Sequence, residues 1–365
     1  MPQSRLFKPL KVGNVEVKHR IAMAPLTRLR ATYDRVPTPL MKDYYGQRAA
    51  VPGTLIISEG TFIAANCGGF VHGPGIWRED QVAAWKDITD EVHSKGSFIY
   101  CQLFAMGRAG DAEVAKKEGF AIKAPSAIPI ESGAAVPEAM TIEEVKQTVK
   151  DFVDTAKNAI RAGFDGVEIH GANGYLLDQF IQDTSNQRND MYGGSIENRS
   201  RLLIEVIEAV SNTIGPERVG LRLSPWSTYQ GMRMQDPIPQ FTDIINKTSP
   251  YGIAYLHVVE SRISGSEDAN GQEGLDFAYD NWNGPLLVAG GYTPEEARKL
   301  VDEKYPEKDI VVIFGRYFLA NPDLVYRIKE GLELNRYDRK SFYVYGSPAG
   351  YSDYPFSKEW LSIGK

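Results

Sequence analysis

Cysteine is nearly absent: only Cys67 and Cys101 occur in 365 residues, too few for a disulfide framework or an iron–sulfur cluster. Both read as free thiols in a reducing compartment. Histidine is almost as scarce. His19, His72, His93, His170 and His257 show no H-x-x-x-H or comparable ligand spacing, so no metal centre is expected. No window approaches the ~20 consecutive apolar residues of a membrane span, and Met1 to Lys8 lack the apolar stretch of a secretory leader. Basic runs are missing too, and the formal net charge of −6 argues against nucleic acid or an anionic membrane as the main partner. These absences lead us to expect a cytoplasmic protein, monomer or homodimer, whose partners are small molecules.

What the chain does have is a repeated strand signal. Short apolar, β-branched runs recur eight times, at residues 21–24, 55–58, 97–102, 167–170, 219–223, 254–258, 286–289 and 310–314. Runs of this kind read as strands buried on both faces, as in a parallel sheet. Helical patterns lie between most of them. One, over 142–160, opens with Thr141 and Glu144 as a capping box; another, over 196–210, carries Leu202, Leu203, Val206 and Ile207. Eight strand-then-helix units predict an α/β fold, a (β/α)8 TIM barrel, and no linker divides residues 1–365 into more than one domain. The usual barrel needs ~250 residues. The surplus falls in extended βα loops at 104–139 and 171–195, which belong to the C-terminal mouth where active sites sit, and in the tail after Gly331.

The segment from Asp165 to Leu176 is the richest in chemistry. It ends a strand and then presents His170, Asn173 and Tyr175. A neutral imidazole and a carboxamide both donate to one oxygen, and a phenol nearby delivers a proton. That trio suits a carbonyl-bearing substrate; the plain alternative is a strand end with a capped turn. On strand five, Val219, Leu221 and Leu223 share one face and Arg222 the other. A guanidinium inside a barrel needs a strongly accepting guest, or an ion pair with Glu168 on strand four. Gln102 shares its face with Tyr100, and Thr27 follows Ala24-Pro25-Leu26 at the end of strand one. Strands seven and eight end in Ala289-Gly290-Gly291 and Phe314-Gly315-Arg316, where barrels of this type often hold a phosphate. Glycines let backbone N–H groups approach it, and Arg316 offers two donors. No dinucleotide fingerprint follows a strand and no P-loop is present, so the phosphate belongs to a barrel-bound cofactor or substrate. No strand ends in a lysine for Schiff-base chemistry, which favours redox chemistry over carbon–carbon cleavage. His93 ends an amphipathic helix and is expected to be solvated. The Tyr192 to Arg199 segment, with Gly193-Gly194, reads as a turn leading into a helix.

These residues resemble the Old Yellow Enzyme family of flavin-dependent ene-reductases over essentially the whole chain. The resemblance is carried by His19 to Arg28, Ser58-Glu59-Gly60-Thr61, Glu168 to Leu176, Tyr192 to Arg199 and Phe314 to Phe318. Tyr44 to Ala49 and Val51 to Thr54 look most like fungal members, including those that reduce ergot-alkaloid aldehydes. The resemblance implies non-covalent FMN, with Thr27 near the flavin carbonyl, Gly60 and Gln102 along the ring edge, and Arg222 at the pyrimidine side. Gly291, Gly315 and Arg316 then surround the phosphate, and Ala24, Pro25, Leu26 and Gly290 complete the cofactor set with His170 and Asn173. It also implies NADPH as reductant and an activated alkene as substrate, its carbonyl held by His170 and Asn173 while Tyr175 protonates Cα. Phe104 and Tyr343 join the substrate set; Phe104 departs from the tryptophan that many members carry. Two other readings stay open, a non-redox isomerase or lyase that uses the same phosphate loops, and a flavin-binding protein without useful turnover.

Overall fold

Each of the eight apolar runs becomes a strand of one closed parallel sheet in the computed structural model, which describes residues 4–265 and 267–363. Met1 to Gln3, part of the N-terminus read above, lie outside the described residues. In chain order the strands are β1 (Ile21–Met23), β2 (Leu55–Ile57), β3 (Phe98–Phe104), β4 (Gly166–Gly171), β5 (Val219–Leu223), β6 (Tyr255–Val259), β7 (Leu286–Ala289) and β8 (Ile310–Phe314). Neighbours in sequence pair in space, β8 pairs with β1, and β2 pairs with both β1 and β3, so these eight strands close into a barrel. The helices that return the chain are α1 (Pro39–Arg48), α2 (Glu79–Ser94), α3 (Ile142–Arg161), α4 (Ile196–Ile214), α5 (Pro237–Thr248), α6 (Asp276–Asn281), α7 (Pro294–Lys299) and α8 (Leu324–Glu330). The (β/α)8 expectation holds. So does the capping box on α3: Thr141 Oγ1 accepts from Glu144 N at 3.2 Å while Glu144 Oε2 accepts from Thr141 N at 2.8 Å. Gly193 and Gly194 form a turn, and α4 starts at Ile196.

Two apolar clusters divide the interior along the parity of the strands. Outward side chains such as Val167, Ile169, Leu221, Leu256, Val288 and Val312 pack against the helices. Inward ones, Ala22, Leu55, Tyr100, Tyr255, Leu287 and Val311, fill the lower barrel and meet Val12, Val15 and Val17 of an N-terminal hairpin. That hairpin closes the floor: Asn14 N donates to Glu217 O at 3.0 Å, just before β5. The lower barrel is therefore largely apolar, with the Tyr100 hydroxyl donating to Asn14 Oδ1 of the hairpin at 2.8 Å.

His93 is exposed in the last turn of α2, as expected, and its ring meets Asp165 Oδ2 at 3.0 Å, a hydrogen bond that raises its pKa. Both thiols are free, and burial pushes each up to about 12. No described helix is long and apolar enough to cross a membrane.

Two glycines make the barrel's inner layer possible. A Cβ on Gly166 would lie 2.3 Å from the Tyr100 ring, and one on Gly220 would lie 2.2 Å from the Tyr255 ring. Each tyrosine lies across the strand beside it. Gly220→Ala should therefore lower stability by ~1–3 kcal/mol, the usual cost of overpacking. Urea denaturation checks it, and an unchanged midpoint would refute the packing account.

Candidate active site

Strand β4 ends at Gly171, and the next four residues are bent into a loop held from every side. Asn173 and Gly174 both adopt left-handed backbone, with φ of 56° and 74°, conformations that Asn tolerates and Gly accepts freely. Asn173 N donates to Ser224 Oγ at 2.7 Å, and Asn173 O accepts from Gln230 Nε2 at 3.2 Å. Gly174 N donates to Asp178 Oδ2 at 2.8 Å, and Gly174 O accepts from Gln179 Nε2 at 2.6 Å. Leu176 N reaches Ala105 O at 3.0 Å. Every peptide group around Asn173 and Gly174 is thus spoken for, which fixes where the side chains of His170, Asn173 and Tyr175 point.

They point into one cavity of about 330 Å³ at the barrel mouth, within the usual range for small-ligand sites. His170 and Tyr175 stand with ring centroids 5.2 Å apart. Burial, with Arg222 and His257 adding to it, holds the His170 imidazole well below its usual pKa, so the ring is neutral. Its Nδ1 is buried without a hydrogen-bond partner among the described residues. Burial likewise pushes the Tyr175 hydroxyl upward, reinforced by Tyr229 and Tyr343. Tyr175 keeps its proton at neutral pH.

Ala24, Pro25, Leu26, Thr27, Gln102, Arg222, Gly290, Gly291, Gly315 and Arg316 line the same cavity. Arg222 is the partly exposed residue of β5 because it opens onto this space, and its Nε is buried without a partner among the described residues. The ion pair with Glu168 considered above does not form. Glu168 instead accepts from Gln102 Nε2 at 2.8 Å, His257 Nδ1 at 2.8 Å and Tyr255 Oη at 3.1 Å. Arg316 grips the two carboxylate oxygens of Asp268 at 2.5 and 2.9 Å, so a carboxylate stands where an anion was expected. Gly291, at φ +67°, needs glycine's conformational freedom. Unsatisfied donors at one end of the cavity and a two-oxygen anion grip at the other fit a flavin mononucleotide.

Two of the residues assigned from the family resemblance sit behind the lining. The Phe104 ring stacks on Phe62 at 4.8 Å and meets the Tyr175 ring edge-on at 5.2 Å, so it backs the phenol. Gly60 packs beneath it, a Cβ there falling 2.9 Å from the Phe104 ring. Tyr343 stands at the rim, 53% exposed. Sequence reading missed Arg28, Tyr229, Tyr337 and Phe342, which also line the cavity, and the buried group of Tyr255 and His257. Strand parity marks the last two, since both face inward on β6; nothing local marks the others.

Comparison with known proteins agrees with this geometry. Residues 5–335 match the family model described as NADH:flavin oxidoreductase / NADH oxidase. The NADP-dependent oxidoreductase lnbE of Aspergillus flavus is 50% identical over 370 residues, covering 99% of this chain and 98% of that protein. The chanoclavine-I aldehyde reductase fgaOx3 of Penicillium roqueforti is 49% identical, with 98% of each chain covered. Among solved structures, the Old Yellow Enzyme of Pichia sp. superposes with a TM-score of 0.91 at 42% identity, over 98% of this chain and 94% of that one.

Asp178, the carboxyl that holds the loop, yields a prediction. Burial raises its pKa to about 7, against the hydrogen bonds from Gln182 and Gly174 N. A carboxyl whose pKa is higher in the fold than in the unfolded chain stabilises the protein at low pH. That contribution is lost as pH rises from ~4 through 7, by at most on the order of 4 kcal/mol. Asp178→Asn should lack this slope, so that the difference between the wild-type and variant stability curves changes across this pH window, although the variant gives up a hydrogen bond. Chemical denaturation at stepped pH measures it; a variant curve parallel to wild type would overturn the assignment.

Proposed function

The chain belongs to the NADH:flavin oxidoreductase / NADH oxidase family, and from that premise we propose that it is an FMN-dependent ene-reductase that uses NADPH to saturate the carbon–carbon double bond of an α,β-unsaturated aldehyde or ketone. The observation that carries this reading is the convergence of His170, Asn173 and Tyr175 on the cavity that also holds Arg222 and Arg316. Bound FMN supplies a two-electron carrier that accepts hydride from a nicotinamide and returns it to a substrate carbon. Gly291, Gly315 and Arg316, once released from Asp268, would hold the phosphate, Thr27 and Gln102 would meet the ring system, and Arg222 would contribute a fixed positive charge beside it.

The neutral His170 ring and the Asn173 amide donate to the carbonyl oxygen of the alkene substrate, and to the carboxamide oxygen of NADPH when that occupies the same space. Donors aimed at an oxygen that gains charge polarise the double bond toward attack at Cβ. Tyr175, which retains its proton, gives it to Cα. An aldehyde is favoured as the activating group because a relative 49% identical to this chain is an aldehyde reductase. Membership of an oxidoreductase family gives the isomerase or lyase reading nothing to rest on.

Heating the purified protein should release FMN, identified by chromatography; FAD, or no flavin even after reconstitution, would sink the proposal. Tyr175→Phe separates proton donation from the rest. The variant should oxidise NADPH with oxygen as acceptor at close to the wild-type rate. With cyclohexenone its turnover should fall by ~10²-fold or more, the usual worth of a positioned general acid. Equal loss in both assays, or in neither, would remove Tyr175 from that role. His170→Ala should instead weaken both assays, by roughly 3 kcal/mol for a lost oxyanion donor.

A further inference from the structure

Directly beneath the cavity lies a buried carboxylate that the reaction proposed above does not use. Glu168 is 0% exposed and sits level with Gln102 on β3 and Gly220 on β5. Gly220 is level in turn with Tyr255, and its missing side chain lets the Tyr255 ring cross β5 and reach Glu168. Oε1 of Glu168 accepts from Gln102 Nε2 at 2.8 Å; Oε2 accepts from His257 Nδ1 at 2.8 Å and Tyr255 Oη at 3.1 Å. A carboxylate only accepts, so the His257 proton is on Nδ1. Burial lowers the pKa of His257 although Glu168 opposes it. Burial pushes Glu168 upward, but His257 and Arg222 more than offset this and hold it below the usual carboxylate range. Two opposite charges are therefore fixed on adjacent strands without touching, Glu168 below and Arg222 at the cavity floor. The Gln102 amide is locked as well. Its nitrogen is committed to Glu168, which leaves its oxygen as the atom presented to a guest.

We infer that Glu168 is a positioning residue for the cofactor: it fixes the Gln102 amide with its oxygen toward the cavity and offsets part of the Arg222 charge, and so tunes how easily a bound flavin is reduced. This rests on the FMN reading above. The sign of the effect follows from charge. Glu168→Gln removes one negative charge beneath the site and leaves Arg222 unopposed, which favours the more negative, reduced cofactor. Tyr255→Phe keeps the ring and deletes one donor to Glu168, so the carboxylate's charge is less satisfied and the effect reverses. A role limited to packing would loosen both variants in the same direction or move neither.

The test is the midpoint potential of the flavin-loaded protein, titrated against a reference dye. Glu168→Gln should bind reduced FMN at least ~10-fold more tightly relative to oxidised FMN than wild type does, a positive shift of about 30 mV for a two-electron couple. Tyr255→Phe should shift the potential negative. An unchanged or negative shift in Glu168→Gln, with FMN retained, would overturn the inference while leaving the ene-reductase reading intact. Should Glu168→Gln not fold, the sign for Tyr255→Phe decides: negative supports the inference, zero or positive overturns it. A wild-type protein that binds no FMN would defeat the functional reading, and this inference with it.

Discussion

The guanidinium of Arg222 inside the barrel is the feature on which the surrounding structure depends. A charge withdrawn from water without compensation costs several kcal/mol, and here it sits on a strand whose other side chains are apolar. Compensation comes from Glu168 one strand away, itself kept ionised by three donors. Those donors need space, which Gly220 provides by letting Tyr255 lie across it. Below them the N-terminal hairpin closes the lower barrel with apolar Val12, Val15 and Val17. Apolar below and charged above, the barrel has one place where a polar guest is better solvated by protein than by water.

A second group of buried charges decides the shape of the cavity's other wall. Arg28, Arg30 and Arg48 are all at most 1% exposed, yet the carboxylate at hand is Glu59, whose pKa burial raises to about 7. Backbone carbonyls and aromatic faces do most of the neutralising. Arg28 and Arg30 both donate to Phe342 O, at 3.0 and 2.9 Å, and Arg48 donates to Tyr351 O at 2.7 Å. Tyr44 and Tyr351 stack at 4.0 Å, with Arg48 over Tyr44 at 4.1 Å and Arg30 over Tyr351 at 4.7 Å. The result is a C-terminal tail with no strand of its own, pinned to the segment after β1 and to α1. Phe342 and Tyr343 reach the cavity through this clamp, so the rim of the site depends on arginines that lie some three hundred residues earlier in the chain.

Rigidity of the loop after β4 has a similar origin. Its left-handed pair, Asn173 and Gly174, is held by Ser224 and Gln230 from the end of β5 and by Asp178 and Gln179 from the helix that follows. Arg108, from the long segment after β3, in turn donates to Gln230 O at 3.1 Å and Gly231 O at 3.3 Å. The extra length after β3 thus braces the loop after β5, which braces the loop after β4. Phe104, at the top of β3, completes the support by standing edge-on to Tyr175.

The sequence by itself determined the eight strands, the barrel, the mouth and the side chains His170, Asn173, Tyr175, Arg222, Gln102 and Arg316. Each of these is a local property: strand parity, a run of β-branched residues, or a polar group stranded among apolar ones. What only the tertiary structure decided is how charges far apart in sequence neutralise one another. Arg222 was expected to face an accepting guest or else to pair with Glu168; Glu168 is taken by three other donors, and Arg222 is left open to the cavity. Arg316, expected at a phosphate, is paired with Asp268, a residue of the loop after β6 that no spacing connects to it. Gly60 and Phe104 were placed at the lining, and packing of Phe104 on Phe62 and Tyr175 moves them behind it. Hydrophobic periodicity is written along the chain because burial acts residue by residue. Electrostatic pairing depends on distances between strands and loops, and those exist only once the barrel has closed.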